Sequence, residues 1–326
     1  MEQSQGEATA YTKALPKVVE QVRKEVGKGV VGQQDFVDKV LLAILCRGHA
    51  LIEGVPGVAK TLVVKLLARM LQVDFQRVQC TSDLMPADVI GGNVFNAANA
   101  TFSLRKGPIF TDLLLVDEIN RMPPRTQAAL LESMEELQVT IDGARYALTE
   151  FFTVLATQNP VEFEGTYPLP EAQLDRFLLK IKVDYPGAED EVAILEHHQN
   201  GFDARDLQQL SLEMLDTDLL RRARQEVRNV RVEPALFKYV SDVIRRTREW
   251  PTVSLGASPR AGVSLLVVSK ALAGMEGRDY MIPDDVKEAA LPCLRHRILL
   301  KPEAELEGIG ADNVISDVLA AVEVPK

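Results

Sequence analysis

A glycine-rich loop that ends in lysine and a hydroxyl residue is built to hold phosphates. Gly54-Val55-Pro56-Gly57-Val58-Ala59-Lys60-Thr61 follows an apolar run ending at Glu53 and opens a helical pattern starting at Lys60. Backbone N–H groups of such a loop and of the helix start point at anionic oxygens, and the helix dipole adds partial positive charge. Lys60 can reach β- and γ-phosphates, and the Thr61 hydroxyl is suited to Mg²⁺. The loop departs from GxxxxGK[ST] at its sixth position, where Ala59 replaces glycine. Alanine fits there if φ is negative, as expected where the chain enters the helix. Read alone, the segment is also a Gly/Pro turn between a strand and a helix.

Two further segments end in polar groups suited to the same chemistry. Leu113-Leu114-Leu115-Val116 is followed by Asp117 and Glu118. A buried strand delivering Asp117 at its C-terminal end places a carboxylate beside a bound Mg²⁺, and Glu118 is then positioned to orient and deprotonate a water. Phe152–Thr157 leads into Gln158-Asn159-Pro160. Asn159 either holds the water or γ-phosphate or is a turn residue before proline.

These groups must be positioned by an alternating fold. His49–Glu53, Phe75–Gln79, Leu113–Asp117, Phe152–Thr157 and Leu178–Val183 read as short strands, most apolar enough for burial on both faces of a parallel sheet. Lys60–Leu71 and Pro124–Glu136 read as helices between them, with apolar residues at spacings of three and four. Beyond Tyr185-Pro186-Gly187 the strand signals stop. Glu189–Gln199, Thr217–Asn229, Pro234–Trp250, Pro259–Gly274 and Pro283–Arg295 read as helices, with Ser258 the N-cap of the fourth. The expected class is α/β: a parallel-sheet core over residues 1–187, then a smaller all-α domain over 188–326.

Composition agrees. A length of 326 residues suits roughly two domains. The net charge of −10 argues against nucleic acid as a partner. The longest apolar run, Val40–Cys46, is far shorter than the about 20 residues of a membrane span. The N-terminus shows no basic stretch leading into an apolar one, so no secretory signal is expected. The first ten residues are polar and are expected to fray. Cys46, Cys80 and Cys293 form no CxxC pair, which fits a reducing cytoplasm rather than a disulfide or zinc framework.

Taken in order, GVPGVAKT, LLLVDEINR, ATQNP, EGTYPLPEAQLDRF and GASPRA resemble the MoxR family of AAA+ ATPases, from about Val30 to Arg297. The resemblance implies an AAA+ αβα P-loop core with a helical lid, and ATP with Mg²⁺ as ligands. Nucleotide contacts then fall on Gly54, Val55, Pro56, Gly57, Val58, Ala59, Lys60, Thr61 and Leu62. Metal contacts fall on Thr61 and Asp117, with Val31 and Gly32 near adenine. Arg176 matches the family's arginine finger, supplied to a neighbouring subunit; the plainer alternative is an ion pair with Asp175 or Glu171. Arg260 matches the second sensor of the lid, and a cation in a first helical turn is electrostatically unfavourable. With Glu118 and Asn159 these arginines complete the implied catalytic set. Gly91–Phe110 and Val139–Leu148, the latter turning at Asp142-Gly143, read as β-hairpins. They resemble hairpins of this superclade that face a ring pore or a client.

The leading expectation is a chaperone-like or metal-centre-assembly ATPase in the cytoplasm. The resemblance implies a homo-hexamer acting on a protein client with a von Willebrand A-type domain partner. The alternative is a DNA-translocating motor of the helix-2-insert superclade, which the acidic charge and the lone Arg105-Lys106 pair on the first hairpin disfavour. A small-molecule kinase would not need the second sensor or the finger. A transcription activator would carry a GAFTGA loop, absent here. A non-hydrolysing switch would lack Glu118.

Overall fold

Three central strands are apolar on both sides, and that fixes the layering of the molecule. The computed structural model describes residues 14–55, 57–97, 100–159 and 165–325. In chain order the elements begin with α1 (Ala14–Val26), α2 (Gln34–Leu45), β1 (Ala50–Gly54), α3 (Lys60–Met70), β2 (Phe75–Gln79) and α4 (Pro86–Ile90). Next come β3 (Gly91–Asn96), β4 (Thr101–Lys106), β5 (Leu113–Asp117), α5 (Pro124–Glu136), β6 (Gln138–Ile141) and β7 (Ala144–Ala147). Then follow β8 (Thr153–Gln158), α6 (Glu171–Leu174), β9 (Leu179–Val183), α7 (Ala188–Gln199), α8 (Thr217–Asn229) and α9 (Pro234–Glu249). The chain closes with β10 (Val253–Leu255), α10 (Pro259–Met275), α11 (Pro283–Leu294), β11 (Leu299–Leu300), α12 (Pro302–Leu306) and α13 (Ala311–Ala321).

The five-stranded sheet has the order β2-β5-β8-β1-β9, and every pairing is parallel. Successive side chains of a strand alternate between faces. Along β5, Leu113 and Leu115 accordingly enter one apolar cluster and Leu114 and Val116 the other. Along β1, Ala50 and Ile52 face the first cluster and Leu51 the second. The first cluster runs without a break through α1, α2 and α3 into the C-terminal helices. The second is closed by α4, α5 and the β6–β7 hairpin.

All five expected sheet strands are present within a residue of the expected bounds, and so are the seven expected helices. Ser258 caps α10, its side chain accepting from the Ala261 N–H. Two hairpins project from the core. β3 pairs with β4, Phe95 opposite Phe102, and β6 pairs with β7 across Asp142 (φ 48°) and Gly143 (φ 80°). Positive φ at both turn residues suits the right-handed twist of a tight hairpin. Asn93 of one hairpin donates to Asp142 of the other at 2.8 Å.

The structure also departs from the expected plan. Helices α1 and α2 precede the sheet. In α2, Val40–Leu45 are buried on every side, so no polar stripe marks the helical period. The strand signal does not end at Tyr185, because β10 pairs antiparallel with β11. Pieces of two or three residues are too short to show alternation. The expectation for the first ten residues lies outside the described residues. Among the described residues, no helix is long and apolar enough to cross a membrane.

Candidate functional site

The sheet order brings the chemistry to one edge. Parallel strands carry all their C-terminal ends to one side, where open α/β sheets bind ligands. In order across that edge stand Gln79, Asp117, Gln158 and the loop that leaves Gly54. The register sets Gln79 beside Asp117 and Gln158 beside Glu53. The loop, Asp117-Glu118 and Asn159 therefore share one rim, as the motif spacing predicts.

Within the loop, Gly57 is left-handed (φ 88°), and a Cβ there would meet nothing within 4 Å. Pro56 lies outside the described residues. Ala59 is also left-handed (φ 57°, ψ 19°), which corrects the expectation of a negative φ. The turn into α3 runs one residue later than that expectation placed it, through Ala59 itself. Ala59 still lies outside the helix, at a backbone twist that glycine adopts without strain. Lys60 folds back so that its Nζ donates to the Gly54 carbonyl at 2.6 Å. Burial lowers the Lys60 ammonium from its ordinary value, while Asp117 and Glu118 oppose the shift. A partly desolvated ammonium at the end of a glycine-containing loop that opens a helix suits an anion. Thr61 and Leu62 follow, half-buried, in the first turn of α3.

Asp117 closes β5 and is buried. Its Oδ2 accepts from Arg77 Nε at 2.6 Å and its Oδ1 from the Thr157 hydroxyl at 3.2 Å. The same hydroxyl accepts from the Glu118 N–H at 2.9 Å. Thr157 thus bridges the two acids from the neighbouring strand. Glu118 is left-handed (φ 59°, ψ 53°), and strained backbone of this kind gathers at functional sites. Its Oε2 lies 3.1 Å from Gln79 Nε2 and 3.0 Å from Arg121 Nε. Beneath them the Cys80 thiol is pushed up to about 12 by burial, with Asp117 and Glu118 adding to the rise.

Val31 and Gly32 lead into α2. Gly32 is left-handed (φ 71°), and a Cβ there would lie 2.6 Å from the Asp190 carboxyl carbon on α7. Gln33 donates to the Asp184 carbonyl at 3.1 Å. This segment is thereby tied to the connection between the sheet and α7.

Arg176 and Arg260 are brought together on Glu135 of α5. The distances are 3.1 Å from Arg176 Nη2 to Oε2 and 3.2 Å from Arg260 Nη2 to Oε1. Arg176 therefore pairs with neither Asp175 nor Glu171. The Asp175 carboxylate is taken by Arg297 and Ser258. Sequence reasoning missed Arg77, Gln79, Thr157, Glu135 and Arg297. The parallel register could have found Thr157, since it follows Ala156, the partner of Val116. Arg77 and Gln79 alternate on the edge strand, where polar residues read as solvent-facing.

The donor set fits a nucleotide with a hard divalent cation. The loop offers N–H groups and an ammonium, and the oxygens of Thr61 and Asp117 suit magnesium, which keeps several waters. Comparison with known proteins agrees with this geometry. The family described as ATPase family associated with various cellular activities (AAA) matches residues 49–179. The AAA lid domain matches residues 245–318. The chain is 43% identical to YeaC of Bacillus subtilis, covering 97% of this chain and 98% of that one. It is 42% identical to Chaperone MoxR1 of Mycobacterium tuberculosis, covering 93% of this chain and 81% of that one. A crystal structure of a candidate ATPase from Cytophaga hutchinsonii superposes with a TM-score of 0.90 at 41% identity, over 98% of this chain and 99% of that one.

Proposed function

The chain belongs to the MoxR family of AAA+ ATPases and hydrolyses ATP, and from that premise we propose that hydrolysis drives remodelling or maturation of protein clients. The carrying observation is the meeting of Lys60, Asp117 and Glu118 at one sheet edge, with Thr157 fixing both acids.

Lys60 and the loop N–H groups bind the phosphates, and Lys60 gives up its contact with the Gly54 carbonyl to do so. Thr61 and Asp117 hold Mg²⁺. Magnesium held there would supply positive charge against the negative charge that develops on the phosphate in the transition state. Glu118 orients the attacking water and accepts its proton, while Gln79 fixes the carboxylate. Asn159 lies on the same rim and completes the water site. Val31 and Gly32 border the adenine. We divide the chain into a core over 1–187 and a lid over 188–326, a reading supported by the end of the sheet at Val183 and the start of α7 at Ala188.

Arg176 is assigned to the nucleotide of a neighbouring subunit in a cytoplasmic homo-hexamer, and Arg260 to the second sensor of the lid, in its own subunit's site or a neighbour's. Their support is the family resemblance and their joint placement on one half-exposed carboxylate. The β3–β4 hairpin carries Phe95 and Phe102, 53% and 71% exposed, with ring centroids 5.2 Å apart. That exposed aromatic pair, joined to the second hairpin through Asn93 and Asp142, supports a client-contacting role. A von Willebrand A-type partner follows from the resemblance, and Chaperone MoxR1 supports the chaperone-like reading. The test is affinity capture with Glu118→Gln protein in ATP, which should hold a client that ADP releases. Identical captured proteins in ATP, in ADP and with Lys60→Ala would remove the reading.

A further inference from the structure

The backbone on both sides of Arg176 is held by the C-terminal helical half. Arg297 follows α11, and its side chain is 2% exposed. Its Nε donates to Asp175 Oδ1 at 2.7 Å. Its Nη2 donates to the Asp175 carbonyl at 3.1 Å, to the Phe177 carbonyl at 2.8 Å and to the Ser264 hydroxyl on α10 at 3.1 Å. Nη1 reaches the Cys293 carbonyl at 2.8 Å. The ring Nε2 of the adjacent buried His296 lies 2.9 Å from the same Phe177 carbonyl. The second oxygen of Asp175 accepts from the Ser258 hydroxyl at 3.1 Å. Ser258 is the N-cap of α10, two residues before Arg260.

A guanidinium removed from water is costly unless nearly every donor is satisfied, and an apolar replacement often serves stability as well or better. Arg297 meets the donor requirement by gripping the residues before and after Arg176. Charge-assisted bonds of this kind fix geometry as well as adding energy. The side chain of Arg176, half-buried, then turns outward to Glu135.

We infer that Arg297 is a positioning residue for Arg176, coupling the placement of the lid to that of the arginine supplied to the neighbouring nucleotide. Through Ser258 and Asp175 the same coupling includes the start of the helix bearing Arg260, so the two arginines advance or withdraw together. The inference rests on the shared-site reading of Arg176.

Complementation separates the two claims. Arg297→Gln removes the charge from the clamp, and Asp175→Asn, nearly isosteric, loosens it with less risk to folding. Each variant should melt cooperatively and bind ATP as wild type does, with kcat lowered about tenfold or more by a misplaced arginine. Each is then mixed with Lys60→Ala protein, which brings an intact Arg176 seated on an intact Arg297. Activity should return, rising with total protein concentration. Arg176→Ala mixed with Lys60→Ala is the control. If the control recovers and neither clamp variant does, although mixed oligomers form, Arg297 serves its own subunit and the inference is overturned. If the control itself stays inactive, the shared-site reading falls and the inference falls with it. Wild-type kcat in Asp175→Asn together with Arg297→Gln would also overturn it.

Discussion

Arg176 and Arg260, 84 positions apart in the sequence, reach the two oxygens of one carboxylate, Glu135, at 3.1 and 3.2 Å. Two guanidinium groups brought this close repel one another, and Glu135 offsets that repulsion. The side chains of Arg176, Glu135 and Arg260 are 29%, 36% and 44% exposed, so the pairs add little to stability. Each arginine engages through a single Nη2, whereas a guanidinium carries five donors. The arrangement suits presentation of paired cations to a phosphate better than it suits bracing the fold.

Glu135→Ala should therefore leave the free energy of unfolding within about 1 kcal/mol of wild type. Its kcat should drop about tenfold or more as the arginines splay, short of the 10³–10⁵ typical of losing a finger outright. Steady-state hydrolysis paired with urea unfolding checks both halves. A large stability loss with unchanged kcat would make Glu135 a structural strut.

Ala59→Gly should stabilise the chain. A left-handed alanine costs roughly 1–2 kcal/mol, and glycine gives back about 0.5–1 through the freer unfolded chain. A net gain of about 0.5–1 kcal/mol in urea unfolding is expected, with ATP affinity kept, because the loop retains its N–H groups. A loss resembling that of an ordinary helical Ala→Gly exchange would mean that residue 59 is helical in solution.

The strands of the sheet were legible because two-sided burial leaves unbroken apolar runs such as Leu113–Val116, and the loop because its residues must be small, cationic and hydroxylic in that order. Ala59 was misread because a sequence names a residue and not its φ. Glu135 sits among acids of an amphipathic helix, where every sign is of a solvated face. Its significance lies in what two remote segments bring to it. Arg297 stands in Arg295-His296-Arg297, a basic run that reads as surface, yet it is buried on carbonyls that no local pattern reveals. Contacts between halves of the chain carry no period and show only in the folded molecule.

Acid should destabilise the fold through His49. Its Nδ1 accepts from the Val154 N–H at 2.9 Å and its Nε2 lies 3.1 Å from the Met134 carbonyl, a pattern only the neutral ring satisfies. Burial pushes it down to about 4. The unfolded ring gains its proton below about 6.5, so stability is intact above that pH and is lost as pH falls toward 4. At pH 5 the expected loss is about 2 kcal/mol. His296, also lowered by burial, acts in the same direction. Urea midpoints at pH 7.5 and 5 should differ less in His49→Gln than in wild type. Equal pH slopes would exclude His49 as a source of the effect.

Thr157→Val separates the structural half of the site from its chemistry. The hydroxyl donates to Asp117 and accepts from the Glu118 N–H, so valine strands that N–H and one carboxylate oxygen at a stroke. An unpaired buried group costs about 1–3 kcal/mol, which should appear in the unfolding midpoint. Hydrolysis should fall as well, because the left-handed turn at Glu118 loses the bond that holds it. Asp117→Asn should instead weaken the Mg²⁺ dependence of nucleotide binding while leaving that turn in place. Glu118→Gln keeps volume and hydrogen bonding but removes basicity. It should bind ATP normally and hydrolyse it about 10²–10⁴-fold more slowly. Measured together, nucleotide affinity with and without Mg²⁺, kcat and unfolding midpoint should give each variant its own signature. Thr157→Val loses stability and rate, Asp117→Asn metal-linked affinity, and Glu118→Gln rate alone. Near-normal phosphate release by Glu118→Gln would transfer the base to another group on the rim, with Asn159 and the Gln79 side unable to serve because neither accepts a proton at neutral pH.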